Sequence, residues 1–301
     1  MNTSYERRSK SAPHTSVIGK VAITWAAAFA IGTLLATFSL VFSQQPAPAF
    51  AHTESMIPMR DGVRLYTQVH VPAKSEGRLP ILLLRTPYGT GRLESVTEAL
   101  PPELTQEGFI FVLQDIRGRF KSEGQFVMLR QPRDPADKKA IDEGTDTYDT
   151  IDWLLKNVPN NNGRVGIAGT SYGAWLSVMA MLDPHPALKA VVEQASPADM
   201  WLGDDFHHNG AFRLSYGLEY AYMMESSKEI ADPTAVIDRH DAYDWYRELG
   251  PLSNANAKHF KNKLPTWNDF VNHPDYDAFW KRQGFAPWLS KVTVPTLNVA
   301  G

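Results

Sequence analysis

From residue 63 the chain alternates. Val63, Leu65, Thr67, Val69 and Val71 share one side and polar or aromatic neighbours the other, the two-residue period of a half-buried β-strand entered through a turn at Asp61-Gly62. An antiparallel entry strand fits this pattern. The runs at 80–85 (Pro-Ile-Leu-Leu-Leu-Arg) and 109–115 (Phe-Ile-Phe-Val-Leu-Gln-Asp) are apolar without alternation and end in polar residues, which predicts strands covered on both faces. Tyr148, Ile151, Leu154, Leu155 and Val158 then recur at helical spacing, and Asn160 to Gly163 break the helix before a strand over 164–168. A helix over 174–182 and a strand over 190–195 repeat the alternation. Strand, helix, strand in succession predicts the α/β class: a mostly parallel sheet with helices on both faces.

After Ser196 the character changes. Aromatic, Met-rich and charged segments over 199–290 carry helical periodicity and no convincing strand, so they read as a helical cap inserted into the sheet domain, and 292–301 returns to strand composition. The expected organisation is an N-terminal segment 1–51, a first part of the core 52–198, the cap 199–290 and a late core strand in 291–301. There is no internal repeat.

The N-terminal segment carries Arg7, Arg8, Lys10 and Lys20 ahead of an uncharged stretch over 21–43, then a Pro-rich linker with Ala49 and Ala51 in A-x-A spacing. A basic start, an apolar run and small residues make an export signal, with cleavage expected after Ala51. The run is also long enough to span a bilayer at about 1.5 Å per residue, so an uncleaved membrane anchor is the alternative. Either way the functional part is expected outside the cytoplasm, periplasmic or extracellular, touching a membrane only through this segment.

Composition adds exclusions. With 43% hydrophobic residues among 301 the chain can bury a large core, and 30 basic against 33 acidic residues give a net charge of −3, too balanced to suggest nucleic acid. The absence of cysteine removes disulfides, thiolate metal sites and a cysteine nucleophile.

The chemistry concentrates at Gly169-Thr170-Ser171-Tyr172-Gly173, a G-x-S-x-G string between a predicted strand and a predicted helix. Taken alone the string is common; its placement is what counts. The strand must turn abruptly into the helix, glycines remove β-carbons that would clash, and the Ser171 hydroxyl stands clear of the sheet as a nucleophile. The Tyr172 amide, at the helix start, is placed to donate to a developing oxyanion and gains from the helix dipole. A second donor is expected from the loop after an earlier strand, where Arg85-Thr86-Pro87-Tyr88-Gly89 sits. Tyr88 is the candidate; packing of the turn is its other reading.

Met59-Arg60-Asp61-Gly62, the Tyr88 loop, Gln114-Asp115-Ile116-Arg117-Gly118-Arg119 with Ser122-Glu123-Gly124, and the Ser171 string come in this order. Together they resemble the X-Pro dipeptidyl-peptidase and cocaine esterase-like hydrolases. The segment from Trp201 to Phe212, Trp-Leu-Gly-Asp-Asp-Phe-His-His-Asn-Gly-Ala-Phe, narrows the resemblance to the α-amino-acid ester hydrolases and glutaryl-cephalosporin acylases. The resemblance implies an α/β-hydrolase core, a helical cap, a C-terminal jelly-roll and no cofactor. It also implies that Asp205 binds the α-ammonium group of a small-molecule or short-peptide substrate. Two other readings stay open for this segment: Asp204 and Asp205 as a helix cap, or Asp204, Asp205, His207 and His208 as metal ligands.

In the resembling family the triad acid and two further carboxylates follow a late strand, here 294–300, and the base follows them. Here the nine histidines end at His273, within the cap. The expectation is a fragment without the final strands and jelly-roll, inactive alone. The leading function is serine hydrolysis of esters or amides with a free α-amine; the alternative is a non-catalytic, membrane-tethered binding protein.

Overall fold

Two antiparallel strands, β1 (Phe50–Pro58) and β2 (Arg64–Pro72), open the described chain and pair from Phe50↔Pro72 to Pro58↔Arg64. Gly62 makes the turn between them at φ 87°. The structure, a computed structural model, describes residues 50–300 except 76, 94, 97–103, 105–107, 135, 138, 204–205 and 239–240. The basic and apolar parts of the export segment lie outside the described residues. Strand β1 begins at Phe50, inside the expected segment 1–51, so Phe50 and Ala51 are sheet residues. Among the described residues no helix is long and apolar enough to cross a membrane.

Strands β3 (Leu79–Thr86), β4 (Ile110–Asp115), β5 (Asn161–Thr170), β6 (Leu188–Gln194) and β9 (Thr296–Val299) run parallel to one another. With the entry pair they form a sheet ordered β1-β2-β4-β3-β5-β6-β9. Helices α1 (Glu143–Asn157) and α2 (Tyr172–Leu182) pack together on one face over Ile81, Leu83, Val165, Ile167 and Val191. On the opposite face Leu93 packs on Leu82 and Phe111. This is the mostly parallel α/β sheet expected from the alternation, in the α/β-hydrolase arrangement that the resemblance implies.

Three local expectations are corrected. Strand β2 is buried from Leu65 to His70 rather than half-buried, because its second face satisfies its own polar groups: Gln68 donates to Tyr66 Oη at 3.2 Å and His70 bonds Gln68 at 3.4 Å. Helix α1 starts five residues before Tyr148, where Asp142 accepts from the Thr145 amide at 2.8 Å and Thr145 Oγ1 accepts from the Asp142 amide at 3.0 Å, a reciprocal cap. Its first turn is polar, so hydrophobic spacing does not reveal it. The cap region also contains a short hairpin, β7 (His207–His208) with β8 (Ala211–Phe212).

The rest of the cap is helical as expected: α3 (Leu214–Glu225), α4 (Ala242–Leu249), α5 (Pro265–Asn272) and α6 (Ala278–Gln283). Leu218, Trp245, Phe260 and Trp267 give it a core of its own, while Met200, Phe206, Met224 and Trp280 join the sheet domain's core. The cap is therefore anchored over the strand ends and not merely tethered to them.

A buried polar network beneath α1 locates the loop after β3. Arg85 donates to Gln114 Oε1, the Glu143 carbonyl and Thr147 Oγ1 at 2.8 Å each, and pairs with Glu143 at 3.0 Å. Burial raises the Glu143 carboxyl and the Arg85 charge opposes that shift. Arg117, next to this pair, bridges Asp61 and Asp146 at 2.6 Å each.

Candidate active site

Strand β5 hands over to α2 at Ser171, whose backbone takes φ 57° and ψ −122°. A side-chain-bearing residue with positive φ is strained, and here the surroundings hold it: the Ser171 amide donates to the Gln194 carbonyl at 2.9 Å, while its own carbonyl accepts from Ala174 and Trp175 at 2.9 and 3.1 Å. Of the two flanking glycines only Gly169 is sterically required. A β-carbon there would overlap the Gly173 carbonyl, whereas one on Gly173 would meet the Arg85 carbonyl at an ordinary 3.5 Å.

Tyr172 is the first residue of α2, so its amide has no acceptor within the helix and is available to a ligand beside Ser171. Its ring is buried, and the hydroxyl accepts from the Leu129 amide at 2.8 Å. Burial, helped by the nearby Glu143, keeps the phenol protonated.

Tyr88 does more than fill a turn. Its amide donates to Thr86 Oγ1 at 3.0 Å, its ring meets the Tyr172 ring edge-on at 6.5 Å, and its hydroxyl lies 2.7 Å from the hydroxyl of Tyr220 on α3. The loop is fastened further along, where Thr90 donates to Asp115 Oδ1 at 2.8 Å. Burial pushes that carboxyl up to about 6, against the amides of Lys121 and Thr90 that favour its charge.

Arg119 ties this loop to the cap. Fully buried, it donates from Nε to the Pro87 carbonyl at 2.9 Å and from Nη1 to the carbonyls of Met224 and Ser227 at 2.5 and 2.8 Å. Its Nη2 has no hydrogen-bond partner.

Ser171 and Tyr172 line a small, half-open cavity of about 20 Å³ together with Leu129, Pro197, Phe206, Tyr216 and Tyr220. The last five were not singled out from the sequence. Tyr216 and Tyr220 stand four residues apart on α3 and stack at 5.3 Å, a spacing that marks a shared helix face but not what it faces.

Asp204 and Asp205 lie outside the described residues, although Phe206, next in the chain, lines the cavity. His207 is buried, bonded through Nδ1 to the Met200 carbonyl at 3.0 Å and stacked on Trp201 at 4.4 Å. Burial lowers its pKa, against the bond to the Met200 carbonyl that raises it.

Cocaine esterase of Rhodococcus sp. (strain MB1 Bresler) is 27% identical over 257 residues, spanning 82% of this chain and 42% of that protein. An aminopeptidase from the marine sediment archaeon Thaumarchaeota archaeon has a similar structure, with a TM-score of 0.75 and 38% identity over 86% of this chain and 44% of its own. An α-amino acid ester hydrolase superposes with a TM-score of 0.76 and 36% identity, over 86% and 44%. The chain thus spans less than half the length of each of these relatives. The sequence profile of the X-Pro dipeptidyl-peptidase (S15) family matches residues 61–301, and the chain belongs to that family.

Proposed function

We propose that the protein is a serine hydrolase that cleaves esters or amides whose acyl part carries a free α-amine. Ser171 Oγ attacks the carbonyl carbon and gives up its proton to the histidine base that this fold carries after a late strand. The carbonyl oxygen gains negative charge and is held by the Tyr172 amide and the Tyr88 hydroxyl. Collapse of the tetrahedral intermediate breaks the bond to the alcohol or amine, which leaves with the proton. Water then releases the acyl group from Ser171.

The observation that carries this reading is the strained Ser171 backbone in the lining of a small cavity, beside an uncapped helix N-terminus. Strain of this kind persists where it serves a purpose, which favours catalysis over a binding protein that has lost it. Asp205 is assigned to the α-ammonium group: its neighbour Phe206 lines the cavity, and two structural relatives are named for amino-acid chemistry. A partly desolvated charge-assisted pair is directional enough to select such substrates. Phe206 and Leu129 also border a small adjoining depression lined by Met200 and Trp280 together with Thr266, Asp269 and Gln283. The basic and apolar N-terminal pattern supports placing the hydrolase outside the cytoplasm.

Fluorophosphonate labelling of the complete protein tests the nucleophile: labelling should vanish in Ser171→Ala, and equal labelling of both forms would remove Ser171 from that role. Amine recognition is tested separately. Phenylalanine methyl ester should be cleaved about 10–100-fold faster than its N-acetyl derivative, and Asp205→Asn should erase most of the difference. Equal rates on both esters would leave a hydrolase without amine selectivity.

A further inference from the structure

We propose that Tyr220, from the cap helix α3, is a positioning residue for the oxyanion site, donating its proton to Tyr88 Oη so that the Tyr88 proton is directed at the substrate carbonyl. This rests on the oxyanion role given to Tyr88 above and adds the source of its polarisation.

The two hydroxyl oxygens lie 2.7 Å apart, so one of them donates to the other. A phenol has a single proton. If Tyr88 gave that proton to Tyr220, only its lone pairs would face the developing oxyanion, and the contact would be repulsive. A Tyr88 that stabilises the oxyanion must therefore accept from Tyr220. Accepting a hydrogen bond makes a hydroxyl a better donor, a cooperative gain of about 10–30% per bond.

Tyr220 is built for this orientation. Its ring stacks on Tyr216 at 5.3 Å and meets Phe206 at 5.8 Å, which limits how the hydroxyl can move. Burial raises its pKa far above the ordinary phenol range, so it retains a proton to give.

Arg119 supports the pair from behind. It bonds the carbonyl of Pro87, adjacent to Tyr88, and the carbonyls of Met224 and Ser227 at the end of the helix that carries Tyr220. It thus sets the distance between the two tyrosines, and its buried charge acts on both phenols and favours negative charge spreading onto them. One consequence is that the oxyanion site is complete only when the cap is docked.

A double-mutant cycle on the complete protein, with p-nitrophenyl acetate as probe, tests the relay. Tyr88→Phe should lower kcat about 100-fold, as for loss of one oxyanion donor. Tyr220→Phe should lower kcat about three- to tenfold, the range of one neutral hydrogen bond, with KM little changed. The double variant should be no slower than Tyr88→Phe. If Tyr220→Phe costs the same factor with and without the Tyr88 hydroxyl, Tyr220 acts independently of Tyr88 and the relay is overturned. An unchanged kcat in Tyr220→Phe overturns it as well. Should Tyr88→Phe itself be harmless, the oxyanion assignment fails first and the relay falls with it. Thermal melts of all three variants separate these outcomes from a folding defect.

Discussion

The α-carbon of Gly169 lies so close to the carbonyl of Gly173 that no β-carbon fits between them. Strand β5 and helix α2 meet there, and their approach sets the direction of Ser171. Gly169→Ala should push the helix start away from the strand, destabilise the protein by about 1–3 kcal/mol or more as overpacking does, and abolish fluorophosphonate labelling. Gly173→Ala has ordinary van der Waals room and gains helix propensity, so its melting temperature and labelling rate should stay near those of the parent. Melts and labelling time courses of the two variants check the contrast.

Arg117 is the second test of the loops that hold the site. It pairs with Asp61 and Asp146, and Asp146 is almost entirely buried. Burial depresses the guanidinium's pKa, but the hydrogen bonds to both carboxylates outweigh it and raise the value overall. Arg117→Ala should cost about 3–5 kcal/mol in denaturant unfolding because it leaves the buried Asp146 carboxylate with only the more distant Arg85, at 4.0 Å, as a charged partner. Arg117→Lys should recover only part of this, since an ammonium cannot grip two carboxylates with a fork.

Stability should also depend on pH through Glu225. Burial pushes its carboxyl up to about 7 from 4.5, only partly offset by the Thr266 hydroxyl and amide that bond it. The folded-state pKa is the higher one, so the favourable contribution is complete below the unfolded value of 4.5 and disappears as pH rises to about 7. The loss amounts to roughly 3 kcal/mol at most. Melting temperatures from pH 4.5 to 8 should fall less steeply in Glu225→Gln than in the parent; parallel curves would show that Glu225 ionises freely in the fold.

Arg119→Met should loosen the cap. The change leaves the Pro87, Met224 and Ser227 carbonyls without their donor, at about 1–3 kcal/mol for a buried unsatisfied group. The exposed segment 226–230 follows directly after α3, so limited proteolysis there should speed up well before the sheet domain melts. Cleavage at the parental rate would mean that the cap's apolar contacts alone keep it seated.

How much of this was readable beforehand depended on sequence distance. The elbow was legible because it is local: an apolar strand, two glycines around a serine and an apolar helix occupy adjacent residues, and their periods differ. Strands β3 and β4 were legible because each is a short apolar run buried on both faces, whereas β6 alternates buried and exposed positions and β9 is exposed. The first turn of α1 was not, since Glu143, Gly144, Thr145 and Asp146 are buried for their hydrogen bonds and carry no apolar period. The His207–Phe212 hairpin escaped because strands of two residues are too short to show alternation.

The sharp elbow at Ser171, the place of the Tyr172 amide at the helix start and the α/β class were written into neighbouring residues, whose backbone preferences and hydrophobic periods act over a few positions. The meeting of Tyr88 with Tyr220 joins residues 132 apart, and the path of Arg119 from the Tyr88 loop to the end of α3 spans a comparable stretch. No local preference encodes such contacts. They exist because burial of Met200, Phe206, Met224 and Trp280 seats the cap on the sheet domain, and only that packing decides which polar groups then face one another.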